Sequence, residues 1–252
     1  MSEDSPSDSA IDDNPSDRGS STRNTANRSA SDDPLLRSRP VLVLEKLLFA
    51  LPPVIGLGIV GLLQQADQPL LRAGLIAFAA FGAVVIRVGV PLCIFLDGTL
   101  IRRRDVEWRP NRLFYTGLAL AVSAPAVGLV YLYRRHRLIG TRRASSRWWY
   151  LVVASIVGAF VGFVVVAIGL VLQLPRPVTV LGGAVGGLAL ASFPIAIYED
   201  ACYVRTAGGI WRPNPATYLA LAFASLLALA ILQPVVGTYY LLRRHLATKA
   251  VQ

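Results

Sequence analysis

Six stretches of this 252-residue chain are too long and too apolar to be core helices of a soluble protein. They run over 42–63, 71–96, 113–133, 148–173, 178–198 and 216–242. Each holds the roughly 20 mostly apolar residues that cross about 30 Å of hydrocarbon. Only 16% of the chain is charged while 54% is hydrophobic, against about a quarter charged in a soluble domain. Backbone groups in lipid must be satisfied within the segment, which makes these runs helices. They do not alternate polar with apolar, so outer-membrane strands are excluded. The expected fold is all-α: a multi-pass protein of the cell membrane with about six transmembrane helices.

The runs are not independent of one another. Pro125-Ala-Val-Gly128-Leu-Val-Tyr131-Leu-Tyr-Arg134-Arg135-His136 matches Pro234-Val-Val-Gly237-Thr-Tyr-Tyr240-Leu-Leu-Arg243-Arg244-His245 at eight of twelve positions. Upstream, Asp97, Arg102 and Trp108-Arg109-Pro110-Asn111 match Asp200, Arg205 and Trp211-Arg212-Pro213-Asn214 without a gap. Laying Pro91 on Pro194 carries the match further back. The chain therefore reads as a polar tail over 1–40 and two tandem three-helix units, 41–147 and 148–252. An odd number of crossings per unit would invert the second unit, as in many transporters, and would set the two Arg-Arg-His ends on opposite faces. With six spans, Lys and Arg near the spans divide roughly 12 to 9 between the two sides, too small a bias to orient the chain. A four-span arrangement with re-entrant segments over 71–96 and 178–198 would put both ends on one face.

The net charge of +10 hides two opposite regions: residues 1–40 carry −3 and the rest carries +13. The tail is Ser- and Asp-rich with almost no apolar residue before Leu35. Such a segment buries too little to offset its ordering entropy and is expected to be disordered. Asn27-Arg28-Ser29 fits a glycosylation sequon. Elsewhere the basic clusters sit at span ends, which points to lipid and not to nucleic acid. The two cysteines, Cys93 and Cys202, occupy unrelated positions of the duplicated unit, so neither a metal site nor a disulfide is expected.

Candidate site residues come from the duplicated blocks. Trp108 and Trp211 suit the lipid–water boundary, and Asn111 and Asn214 suit N-caps of the helices that follow. Asp97 and Asp200 stand one short loop from Arg102 and Arg205, as ion pairs would. Arg134, Arg135, His136, Arg243, Arg244 and His245 read as interfacial anchors. A substrate or ion site is the competing reading of these blocks, and a pH-sensing pair that of the two histidines. Arg87 is the one charge well inside an apolar run, where its cost is about 2.5–3.5 kcal/mol at mid-bilayer. Glu45, or Glu199-Asp200, is its expected partner. Phe95-Leu-Asp97-Gly98-Thr99-Leu100 resembles the first motif of haloacid-dehalogenase-type phosphatases. Phe95, however, stands where that chemistry needs its nucleophilic Asp, and the segment leaves an apolar helix, not a strand. No catalytic constellation and no cofactor are expected.

The Asp…Trp-x-Pro-Asn…Tyr-Leu-x-Arg-Arg-His module, over about 91–136 and 194–245, resembles one carried by small multi-pass membrane proteins of halophilic archaea. The acidic tail and the preference for Arg over Lys are similar to that group too. The resemblance implies a membrane location and no particular activity. The functional expectation is a non-enzymatic scaffold or accessory protein. Its partners are the bilayer and either further copies of the chain or another membrane protein. The alternative is a small-solute or ion transporter or channel built of inverted units.

Overall fold

A computed structural model of the chain describes residues 35–36, 38–63, 69–104, 106–228 and 232–249. Nine helices and no strand occur among them. They are α1 (Arg39–Phe49), α2 (Leu51–Leu63), α3 (Pro69–Arg102), α4 (Arg112–Ala121), α5 (Ala124–Leu138), α6 (Trp148–Val171), α7 (Arg176–Thr206), α8 (Pro215–Leu227) and α9 (Leu232–Lys249). Residues 35–252 form one compact body. The tail residues up to 34, with the Asn27 sequon, lie outside the described residues. The boundary at residue 40 needs correcting, because Leu35, Leu36 and Ser38 are buried and α1 begins at Arg39.

Four segments are long and apolar enough to cross a membrane: α1 with α2, then α3, α6 and α7. The first is interrupted at Ala50, and Pro52-Pro53 open the helix that follows, where missing amide protons cost nothing. The apolar runs over 113–133 and 216–242, expected as spans, are each split in two, and neither forms a single helix of that length. In the first run the cause is local. Ser123 N-caps α5 by accepting from the Ala126 amide at 3.4 Å, and Pro125 follows in the first turn. A proline there has no amide to donate and its ring clashes with the carbonyl four residues back, so α4 cannot run on into α5. The ten residues of α4 reach only about 15 Å, half a bilayer.

Each split run folds back on itself. Tyr115 in the first turn of α4 meets Tyr131 of α5, ring centroids 5.5 Å apart, and Tyr218 of α8 meets Tyr240 of α9 at 4.9 Å. These contacts are antiparallel, so every hairpin returns to the end of the bundle from which it started. The far ends of α6 and α7 are joined by a turn in which Gln173 takes φ +50° and Leu174 N donates to the Gly169 carbonyl at 2.9 Å, a Schellman-type stop. From that turn α6 and α7 run antiparallel in close contact. A Cβ placed on Gly162 would lie 2.5 Å from the Gly186 backbone, and Ser155 and Ser192 meet at 3.0 Å. Small residues that admit this approach are what associate helices in lipid. Large apolar side chains such as Phe81, Phe163 and Leu188 stay exposed along α3, α6 and α7.

Candidate functional site

The polar residues of both duplicated blocks gather at one end of the bundle. Asp97 sits on the last turns of α3, and its Oδ2 accepts from the Tyr131 hydroxyl at 2.9 Å and from Arg135 Nε at 2.9 Å. Asp200 repeats this on α7: Oδ2 accepts from the Tyr240 hydroxyl at 2.8 Å and pairs with Arg244 Nε at 2.9 Å. Trp108 lies over Tyr131 and Trp211 over Tyr240, each pair 5.5 Å apart. Burial and the carboxylate beside them hold the Tyr131 and Tyr240 phenols well above their ordinary range, so both remain donors. Each set is a tie from a long helix to the returning arm of the hairpin after it.

The two ties are closed differently. At the first, the Ser38 hydroxyl donates to Asp97 Oδ1 at 2.7 Å, and Arg135 Nη2 donates to the Leu35 carbonyl, so the chain before α1 covers the pair. At the second, the start of α6 stands in that place. The Trp149 amide faces the Asp200 carboxylate, and Arg244 Cζ lies 5.7 Å from the centroid of a Trp149 ring. Arg135 is 1% exposed and Arg244 17%.

This geometry corrects two expectations. Asp97 and Asp200 do not pair with Arg102 and Arg205. The helices α3 and α7 run on to Arg102 and Thr206, so each acid and the arginine five residues on share a helix about 140° apart around its axis. Arg102 is exposed, and Arg205 donates to the Pro213 carbonyl at 3.4 Å and the His136 carbonyl at 2.7 Å. Nor are Arg135 and His136 surface anchors, since both are buried. Arg134 Nη1 does reach outward, to the Tyr115 hydroxyl at 2.7 Å, and Arg243 and His245 are exposed.

His136 belongs to a second network, one that joins the two halves of the chain. The Tyr198 hydroxyl donates to Glu45 Oε1 at 2.7 Å and lies 2.8 Å from His136 Nε2. On its other side the ring presents Nδ1 to Thr141 Oγ1 at 3.2 Å and to the Gly140 carbonyl at 3.4 Å. Burial, with the neighbouring Arg135 charge adding to it, pulls the imidazole down to about 3, so it is neutral. Arg142 closes the set, bonding Glu45 Oε2 at 3.2 Å and Glu199 Oε1. Glycine at 140, with φ +121°, ends α5 and turns the chain back towards His136.

Glu45, Arg142, Tyr198 and Glu199 were not among the residues singled out by repetition, because this network occurs once. Its signal in sequence was an acid inside each of two apolar helices. Glu45 is committed to Arg142 and Tyr198, so it does not partner Arg87, and neither does Glu199 or Asp200. Arg87 is exposed and donates to the Leu120 carbonyl at 3.3 Å, at the C-terminus of α4.

Asn111 and Asn214 each cap a helix, accepting from the amides of Phe114 at 3.2 Å and Ala216 at 3.1 Å. Asn214 also donates to the Tyr133 carbonyl at 3.0 Å. That bond, with Arg205–His136 and His136–Tyr198, sets the ends of α5 and α7 and the loop before α8 side by side. Both Arg-Arg-His ends therefore lie at one end of the bundle. Among the described residues no three His, Cys, Asp or Glu side chains converge as a metal site. No family model, curated protein or solved structure matches the chain.

Proposed function

We propose that this chain is a multi-pass integral membrane protein of scaffold or accessory type, without an enzymatic step. It consists of two tandem units in parallel orientation. Each unit is two spans followed by a hairpin that enters and leaves by one face. Two crossings per unit, an even number, return the chain to the side where it began, and this gives the second unit the orientation of the first. The observation that carries the functional reading is that the duplicated acids, tyrosines and second arginines are spent on one another. Asp97, Tyr131 and Arg135 are buried together, as are Asp200 and Tyr240 with Arg244 beside them. Side chains bonded this way hold helices at fixed separations.

Charge gives the orientation. Among the described residues, only Arg72, Arg87 and Arg176 of the Lys and Arg residues lie at or toward the end opposite the motifs. Under the positive-inside rule the motif end faces the cytoplasm. The helices α3 and α7, about 51 and 46 Å long, exceed the about 30 Å of hydrocarbon, which leaves the buried polar networks near headgroup depth. The bilayer is the first partner; a second copy or another membrane protein would sit against the exposed apolar sides. Purified full-length protein in sealed liposomes is expected to pass small ions and neutral solutes no faster than empty liposomes. Protein-dependent flux of any of them would overturn the scaffold reading.

A further inference from the structure

The duplication supplies an internal comparison, and at one place the two copies differ in chemical kind. A groove of about 210 Å³ lies between the loop before α8 and the last turns of α9, lined by Ile210, Trp211, Arg243, Leu246 and Ala247. The matching residues of the first copy are Glu107, Trp108, Arg134, Arg137 and Leu138. There the lining carries an acid and two arginines, and Arg134 is drawn onto the Tyr115 hydroxyl at 2.7 Å. In the second copy the acid has become Ile210 and the second arginine Leu246. Arg243 bonds instead along its own helix, Nε to the Tyr239 hydroxyl at 3.3 Å, and stays exposed. The result is an apolar trough with one cation at its edge, no acid in its lining and an indole in its wall.

We infer that this groove seats an anionic phospholipid, its phosphate on Arg243 and its upper acyl chain over Ile210, Leu246 and Ala247. A guanidinium matches phosphate oxygens with paired donors and is less strongly hydrated than an ammonium, so it gives up water readily at such a site. Trp211 lies at the depth where indoles favour the membrane interface. The inference rests on the membrane reading above, with the motif end at headgroup level. Charge complementarity selects an acidic lipid over a zwitterionic one, since the choline of the latter would bring a second cation beside Arg243.

The test uses the full chain in phosphatidylcholine vesicles doped with either brominated phosphatidylglycerol or brominated phosphatidylcholine, and reads tryptophan quenching. The Trp211→Phe variant identifies the share of the signal that belongs to the groove. Trp211 should be half-quenched at about tenfold lower mole fraction of the acidic lipid, the size of one charge-assisted contact. Arg243→Gln should abolish that preference and Arg243→Lys keep part of it. Arg137→Gln, which removes one charge from the matching place in the first copy, should leave it intact. Equal quenching by the two lipids, or a preference that survives Arg243→Gln, overturns the proposal. So does relief of quenching by excess inorganic phosphate, which would identify a soluble-anion site. Flotation of the protein with the vesicles is scored separately: failure to float removes the membrane reading itself, whereas flotation without selectivity removes only the lipid site.

Discussion

Asp97 and Asp200 each accept from a tyrosine and pair with an arginine, yet the surroundings of each pair set how much it matters. Removing one member of a buried ion pair strands the other, at a cost of about 3–5 kcal/mol. Arg135 is 1% exposed and has no route to water, whereas Arg244 is 17% exposed. Asp97→Asn should therefore lower the unfolding temperature in detergent markedly, and Asp200→Asn by clearly less; equal losses would refute the distinction. The imidazole of His136 gives a pH-dependent signature. Its ordinary value of 6.5 falls to about 3 in the folded protein. Between those values the unfolded chain binds a proton that the folded chain does not. The contribution of His136 is thus complete above about pH 6.5 and is lost as pH falls toward 3, at up to about 1.4 kcal/mol per pH unit. Thermal unfolding between pH 7 and pH 5 should decline less steeply for His136→Gln than for the wild-type protein.

At the scale of elements, the α6–α7 hairpin rests on a close backbone approach at Gly162 and Gly186. Alanine at 162 would force its Cβ to 2.5 Å from the Gly186 backbone, and backbone cannot rotate away. Gly162→Ala should cost about 1–3 kcal/mol through overpacking. Gly187 lies on the same helix pair with open space around it, and Gly187→Ala should gain about 0.5–1 kcal/mol from helix propensity. Opposite signs in thermal unfolding would separate contact from propensity. The split runs carry a different lesson. Their apolar content was legible as membrane-compatible, but their path was not, because hydropathy counts residues and ignores caps. Ser123 and Pro125 had the signal of a helix start inside an apolar run, and that signal outweighs the run's continuity.

Over the whole molecule, the consequence of those breaks is topological. In the proposed topology two crossings per unit bring the loops after α3 and α7 to the same side, where three crossings would separate them by a bilayer. Cysteine introduced at exposed Arg104 and at half-buried Gly209 should react with an impermeant maleimide from one side of the membrane, and cysteine at Arg176 from the other. The native Cys93 and Cys202 are buried and should not interfere. Opposite labelling of positions 104 and 209 would restore the inverted arrangement. Among the described residues the halves are joined by Tyr198 with Glu45 and His136, Arg205 with the His136 carbonyl, and Asn214 with the Tyr133 carbonyl. These distinguish the two copies, since Phe95 stands where Tyr198 does and has no hydroxyl to offer.

The sequence by itself determined what is local. Long apolar runs force helices, because lipid offers no partner to a backbone group. Asparagine before a helix caps it, proline starts it, and glycine at 140 and 208 ends it with positive φ. The equivalence of the two acids, two tyrosines and two arginines was also legible, since it is written as identity at fixed spacing. What only the tertiary structure decided is partnership. Asp97 takes Arg135, 38 residues away, over Arg102, five residues away, because helix periodicity turns the near arginine to another face while hairpin closure brings the far one in. Glu45 meets Tyr198 across 153 residues for the same reason. Periodicity is a property of neighbours along the chain, whereas a buried charge finds its partner through the path of the whole fold.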